Sequence, residues 1–337
     1  MSPEIKRTAA AFLETAGNWS DDGTAVDNLV RAGASPAAAA TASVLQPATA
    51  RAGELTVVYP QYGGLARDTA AVIALVGQNL RTVSGPWIRE LVVDVRLARE
   101  PGGNWTVERL VPPTSLGAPL PLTDTAAAVL ADPKIVLPDP ARSDVRTGRI
   151  DTQLLAILHA LSREFTLTVQ VMHTGHIQTV FPTARVSNHA VGRAVDIREI
   201  DGRPVVAPAG DDRPLRLMRR AAELGATEVG GPVDLNGVRK GFFSDRVHHD
   251  HIHLGITAGA PAVGARPCRS CTRSPHRAPT TAASALPADG GRSDRRSIAE
   301  ARQARTRVEA AARAQEQAAR AAVVHLRRPG LSVWVSQ

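Results

Sequence analysis

Three observations predict an α+β chain. Helical periodicity runs into strand alternation within residues 1–112, a Pro- and Gly-bearing break follows, and a second block at 124–258 segregates helices from a small antiparallel sheet. With 337 residues, 43% of them hydrophobic, the chain has room for two soluble globular domains. The expected division is an accessory domain at 1–112, a linker at 113–123, a second domain at 124–258 and a low-complexity tail at 259–337.

The first segment opens as a helix. Ser2 can cap it, Pro3 suits the first helical position, and Ile5, Ala9, Phe12, Leu13 and Ala16 recur at helical spacing up to Gly17. A second helical stretch at 24–45 is interrupted at Gly33-Ala-Ser-Pro36. Strand patterns then take over at 54–59, 69–80 and 88–99. In the last of these Val93, Val95 and Leu97 alternate with Asp94 and Arg96, and Pro101-Gly-Gly-Asn104 turns the chain into 105–111, a hairpin signature. Two helices followed by a curved antiparallel sheet resemble the nuclear-transport-factor-2-like cone, a small α+β accessory domain. Beyond residue 112 the composition shifts to Pro, Ser, Gly and Leu without an apolar face, which marks the linker.

The second block begins with a short helix at 124–131 and an apolar run at 134–137. A helix capped by Asp151 follows, with Leu154, Leu158, Leu161 and Phe165 on one face, and leads into a strand at 166–173. A further helix at 214–224 buries Met218, Ala221 and Leu224 and stops at Gly225. Segments 227–231 and 241–256 complete the sheet.

Charge is unevenly distributed. The net charge is +8, yet from residue 260 onward 14 Arg face 5 Asp or Glu, so residues 1–259 sum to −1. The basic character belongs to the tail, and no nucleic-acid partner is expected of the folded domains. The tail is first Pro, Ser, Thr and Arg without periodicity, expected to be disordered, then Ala, Arg, Glu and Gln with helical propensity but no apolar stripe. Its Cys268 and Cys271 form a lone C-x-x-C with no second metal-binding pair, which reads as structural or incidental. No run of 18 or more apolar residues is present, so no membrane span is expected, and the N-terminus lacks the apolar region of a signal peptide.

Chemistry concentrates in two clusters, Ser187-Asn-His-Ala-Val-Gly-Arg-Ala-Val-Asp196 and His248-His-Asp-His-Ile-His253. If 193–198 is a strand, Val195 and Ile197 face a core and Asp196 faces away; likewise Ile252 and Leu254 point inward and His251 and His253 outward. Gly192 permits the turn by which His189 and Asp196 converge on one ion. Neutral imidazoles and one carboxylate suit Zn²⁺ at about 2.0–2.2 Å. Such an ion lowers the pKa of water to about 7 and polarises a carbonyl. Spacing alone leaves open whether His251 or His253 binds.

The pattern Ser187-x-His189-x-x-Gly192-x-Ala194-x-Asp196 followed by His251-x-His253 resembles the zinc D-alanyl-D-alanine carboxypeptidases, grouped with lysostaphin-type endopeptidases and hedgehog domains. Thr174-Gly-His176, Arg185 and the His248-x-Asp-His-Ile-His-Leu-Gly255 context extend the resemblance over about residues 124–257. It implies His189, Asp196 and His253 as metal ligands, with His251 beside the ion to assist water or the oxyanion. It departs from the branch with Glu-x-x-His, since Asp250 stands three before His253, and Asp250 is expected to orient neighbours. Arg185 is a candidate for a substrate carboxylate or a solvated surface group. Ser187 is a candidate for a substrate hydrogen bond or a loop cap. His176 and His248 read as donors that steady the ligands from behind or as mere neighbours; no chemistry is assigned to His159, His173 or His325.

The expected function is zinc-dependent hydrolysis of peptidoglycan stem peptides, as a D,D-carboxypeptidase or endopeptidase. One rival is a non-catalytic cell-wall binding module with structural zinc, favoured by a filled fourth ligand. Another is a histidine-triad nucleotidyl hydrolase, matched by the spacing at 249–254 but not by Asp250, and giving no role to His189 and Asp196. The substrate implies the cell envelope or exterior; action on recycled wall fragments in the cytoplasm is the alternative.

Overall fold

A run of seven consecutive buried residues, Ala70 to Val76, lies in the middle of the N-terminal sheet and ties the chain together. The structure, a computed structural model, describes residues 2–20, 26–113, 117–206, 210–237 and 240–258. The expectations for the tail, including Cys268 and Cys271, lie outside the described residues. The elements before the sheet are α1 (Pro3–Gly17), α2 (Val26–Arg31) and α3 (Pro36–Ala39), then a 3-10 turn at Ala42–Leu45. The expected helix at 24–45 is thus broken into short pieces, with Gly33 at φ +92° allowing the bend. Helix α1 buries Ile5, Ala9, Phe12, Leu13 and Ala16 as its periodicity predicts. Ser2 makes no side-chain cap; its hydroxyl accepts from Arg246 and its carbonyl from the Tyr62 hydroxyl.

Four strands follow as an antiparallel meander: β1 (Ala50–Leu65), β2 (Thr69–Thr82), β3 (Gly85–Ala98) and β4 (Thr106–Val111). Strand β1 is an edge of this sheet, and its register with β2 slips between Val57 and Tyr59 and again between Tyr62 and Gly64. Such irregularities bend a strand and re-aim its side chains. Here they bracket Gln61.

The second half comprises α4 (Asp124–Ala131), β5 (Ile135–Val136), α5 (Asp139–Arg146), α6 (Thr152–Leu161), β6 (Leu167–Val171), β7 (Ala194–Ile200), β8 (Arg203–Pro204), α7 (Arg213–Glu223), β9 (Glu228–Gly230), β10 (Phe242–Phe243) and β11 (Ile252–Gly255). Its strand order is β10-β9-β11-β7-β6-β5, with β8 paired to β7. The sheet is mixed, since β5–β6 and β10–β9 run parallel, where an antiparallel sheet was expected. These two pairs join two-residue strands at the sheet's edges, a length too short to carry a periodic signal. Helix α5 is an addition to the sequence reading; its mostly polar residues lack an apolar repeat, yet Ala141, Asp144 and Val145 are buried. Asp151 caps α6 through the backbone N–H of Gln153.

Each sheet has its own apolar core, and a third, smaller cluster joins them. Ala70, Val72, Ala74 and Val76 on one face of β2 pack with α1. Ala71, Ile73 and Leu75 on the other face pack with Val92, Val171 and Ile177. The sheet therefore has no solvent-facing side along β2, and the described residues form one compact unit. Burying each such aliphatic side chain contributes about 1.5–3 kcal/mol. Ile73→Ala should destabilise the fold by about 2–4 kcal/mol through the cavity left at this junction. Urea unfolding followed by circular dichroism would read this as a lower midpoint; an unchanged midpoint would show that the junction carries no stability.

Candidate metal centre

Strands β7 and β11 pair antiparallel with Asp196 directly opposite His253. Val195, Ile197, Ile252 and Leu254 enter the core from the other face, so the alternation of apolar residues turns Asp196 and His253 to one side. His189 arrives on a 3-10 turn, His189–Val191, which closes at Gly192 with φ +70°. A Cβ at Gly192 would stand 1.7 Å from the Arg149 carbonyl oxygen, and the Gly192 carbonyl accepts from Asp151 N–H at 2.9 Å. Only glycine fits this turn, which docks the His189 loop under the start of α6.

The result is a close triangle of donor atoms. His189 Nε2 lies 3.2 Å from Asp196 Oδ1 and 3.2 Å from His253 Nδ1, and His253 Nδ1 lies 3.0 Å from Asp196 Oδ1. Ligands of a tetrahedral ion at metal–ligand distances of about 2.0–2.1 Å stand roughly 3.3–3.4 Å apart, so the triangle is close to ready for one. The side chain of Asp196 is 1% exposed and that of His189 1%.

Four imidazoles surround Asp196 in the same manner: one ring nitrogen is tied to the protein and the other faces the carboxylate. His189 donates from Nδ1 to the Met172 carbonyl. His176 donates from Nδ1 to the Ile177 carbonyl at 2.9 Å and turns Nε2 to 3.7 Å from Asp196 Oδ2. His251 donates from Nδ1 to Asp250 Oδ1 at 2.6 Å, with Nε2 3.8 Å from Asp196 Oδ2. His253 is reversed, with Nε2 3.5 Å from Glu228 Oε2 and Nδ1 in the triangle. A carbonyl or ionised carboxylate can only accept, so each tie keeps a proton on the outer nitrogen, and the inner nitrogen has a lone pair to offer whenever the ring is neutral. Lone pairs and a carboxylate converging on one point are a cation's donor set. Of these groups, His176, His189 and Asp196 offer ligand atoms within 4.8 Å of one another and could hold a metal ion. The His189–Asp196–His253 triangle is the tighter set.

Electrostatics agree. Burial raises Asp196, but the fields of His189 and His251 and the hydrogen bonds of His189 and His253 outweigh it and hold the carboxyl well below its ordinary range. Burial lowers His253, yet Asp196 and Glu228 together push it up to about 9. Burial and the nearby His189 keep His176 well below the usual imidazole value, hence neutral. Without a metal, His253 supplies the positive charge that Asp196 requires.

Among the remaining sequence candidates, Ser187 is buried and its hydroxyl accepts from the His189 N–H at 3.3 Å, a loop cap that helps hold His189 in place. Arg185 is 66% exposed on the pocket rim, 3.9 Å from Glu228. Asp250 orients His251. His248 lines the pocket and is tied to Asp245 at 2.8 Å. The pocket, of about 180 Å³, has the donor cluster in its lining, together with Phe243, Arg185 and residues Gln61 to Gly64 of β1.

Several site residues were not found in the sequence. Glu228 sits on β9 beside β11 and accepts from Asn188 at 2.7 Å. Asp144 of α5, fully buried, accepts from the N–H groups of His173 and Thr174 and from the Thr174 hydroxyl, pinning the loop that carries His176. Gly175 at φ +88° lets that loop lie against β3, where a Cβ would stand 2.2 Å from the Val92 carbonyl oxygen. Gln61 donates to Asp196 Oδ2 at 2.6 Å. For the last, the run apolar on both faces at 70–76 signals only that the sheet is covered on both sides, and does not point to Gln61 itself.

A divalent ion entering the triangle must displace the His253 proton. Because the folded value of His253 is raised, its protonated form stabilises the metal-free protein below about pH 6.5, and this contribution is lost as pH rises through about 9. Metal affinity should run the opposite way, rising up to about tenfold per pH unit below about 9. Calorimetric zinc titration near neutral pH, in two buffers of different ionisation enthalpy, should show about one proton released per ion; affinity independent of pH would contradict the assignment of His253. Compared with protein families, curated proteins and solved structures, the chain shows no match, so the functional reading rests on the site itself.

Proposed function

We propose that this protein is a zinc-dependent peptidase that hydrolyses peptide bonds in peptidoglycan stem peptides, as a D,D-carboxypeptidase or endopeptidase. The observation that carries the reading is the His189–Asp196–His253 triangle with a further oriented imidazole, His251, beside it. Two imidazoles and one carboxylate are a donor set that zinc prefers, and three protein ligands leave a position for chemistry. When bound there, the ion supplies Lewis acidity and a water of lowered pKa. The order of ligand-type residues also resembles the zinc D-alanyl-D-alanine carboxypeptidase and hedgehog-type group, whose fold is part of this proposal.

The chain's own residues take the remaining roles. Asp250 holds the proton on His251 Nδ1, so Nε2 is free to take a proton from the attacking water or, once protonated, to donate to the developing oxyanion. Arg185, exposed and 3.9 Å from Glu228 on the pocket rim, takes the role of forking a substrate's terminal carboxylate in this proposal. Phe243 and the Gly63-Gly64 stretch form part of the wall of the pocket beside the cluster. A peptidoglycan substrate implies action in the cell envelope.

One observation favours a second reading. His176 Nε2, 3.7 Å from Asp196 Oδ2, is near enough to complete a closed, structural site in a wall-binding module.

His251→Ala should retain zinc and lower muropeptide cleavage by about 10²–10⁴-fold, whereas His253→Ala should lose both. Mass spectrometry of digested muropeptides, with and without chelator, identifies the bond cut. Cleavage that persists in chelator, or stoichiometric zinc that depends on His176 with no cleavage at all, would overturn the peptidase reading.

A further inference from the structure

Asp196 and Asp250 each use both carboxylate oxygens, and in each the Oδ2 is held by the N-terminal half. Asp196 Oδ1 belongs to the donor triangle, while Oδ2 accepts from Gln61 Nε2 of β1 at 2.6 Å. Asp250 Oδ1 holds His251, while Oδ2 accepts from Lys6 Nζ of α1 at 2.5 Å and from the Tyr62 N–H of β1 at 3.1 Å. The Tyr59 hydroxyl donates to the Asp250 carbonyl. All the partners are buried or nearly so: Gln61 is 0% exposed, Asp250 1%, and the Lys6 side chain 21%.

We propose that Gln61 and Lys6 are positioning residues of the metal centre: Gln61 fixes which oxygen Asp196 presents, and Lys6, through Asp250, fixes the ring of His251. The N-terminal half is then part of the site rather than an appendage to it. This inference rests on the metal reading of the His189–Asp196–His253 triangle.

Three features separate this role from plain interface packing. The edge position of β1 leaves the Tyr62 N–H unpaired within its sheet and free for Asp250, and register slips on both sides of Gln61 aim its amide outward. Lys6 also lies 4.4 Å from the centre of the Tyr62 ring, so its ammonium is held by a cation–π contact as well as by Asp250. Asp250 accepts on both oxygens and cannot swing without losing partners on one side, which transmits the position of Lys6 to His251. Apolar contact between the halves is supplied elsewhere, by Ile73 and its neighbours.

The test uses the full chain and variants Gln61→Met, Lys6→Met, Lys6→Arg and Ile73→Ala. Zinc and cobalt uptake by the unaltered chain is measured first; no uptake would overturn the reading of the triangle itself. Gln61→Met should weaken zinc binding about 10–100-fold and change the visible spectrum of the cobalt-loaded protein, since outer partners of a ligand tune both. Lys6→Met should keep zinc affinity within a few-fold but mix the His251 tautomers in a ¹⁵N-histidine spectrum of the zinc-loaded protein. It should also lower kcat on muropeptides about 10–100-fold with little change in KM, and Lys6→Arg should restore both readouts. Ile73→Ala should lower stability with cobalt spectrum and tautomer unchanged, which separates loss of packing from loss of positioning. Metal-loaded Gln61→Met and Lys6→Met proteins indistinguishable from the parent in affinity, spectrum and tautomer would overturn the proposal, whatever the activity. So would an Ile73→Ala protein that reproduces their changes.

Discussion

A carboxylate with 1% of its side chain exposed governs this structure. Taking an isolated carboxylate out of water costs several kcal/mol even after relaxation, so Asp196 can stay charged only if its surroundings repay that cost. They do so with a charged imidazole and an amide, His253 on Oδ1 and Gln61 on Oδ2, aided by the fields of His189 and His251. Each imidazole must then be held so that its inner nitrogen stays put. That requirement explains the Met172 and Ile177 carbonyls, Glu228 and Asp250 as outer partners, and the buried Asp144 that fixes the His176 loop.

The same requirement reaches across the two sheets. Gln61 can approach Asp196 only because β1 lies along the pocket, and β1 lies there because β2 beside it is covered on both faces. Apolar burial at Ile73, Val92 and Val171 brings the halves together without specifying polar geometry. Hydrogen bonds from Lys6, Gln61 and Tyr62 supply the specificity, and each satisfies a buried group that would otherwise be costly. Glycine appears where this close fit permits no side chain, at Gly175 against β3 and at Gly192 under Arg149.

Much of the candidate site was legible because it obeys local rules. Period-two alternation in 193–198 and 251–254 turns Asp196, His251 and His253 away from the core, and the glycine four before Asp196 reports the turn that brings in His189. Helix α1 was legible for the same reason, since Ile5, Ala9, Phe12, Leu13 and Ala16 keep a helical repeat. What was not legible depends on register and docking between distant segments. Nothing local to Gln61 or Lys6 marks them; their partners lie 135 and 244 residues away. Glu228 becomes a site residue only through the pairing of β9 with β11. Helix α5 lacks a periodic apolar face because its key buried residue is Asp144, a polar group serving a loop. The continuous apolar stretch at 70–76 did carry the news of a second covered face, although not of what covers it.

The central claim is that buried Asp196 anchors an open, three-ligand metal site. X-ray absorption at the zinc edge of the purified full chain tests it most directly. The account predicts one zinc with a shell of nitrogen and oxygen at about 2.0–2.1 Å that includes two imidazoles and a non-protein light atom. A protein holding no stoichiometric metal, or a shell with a third imidazole closing the site, would contradict it.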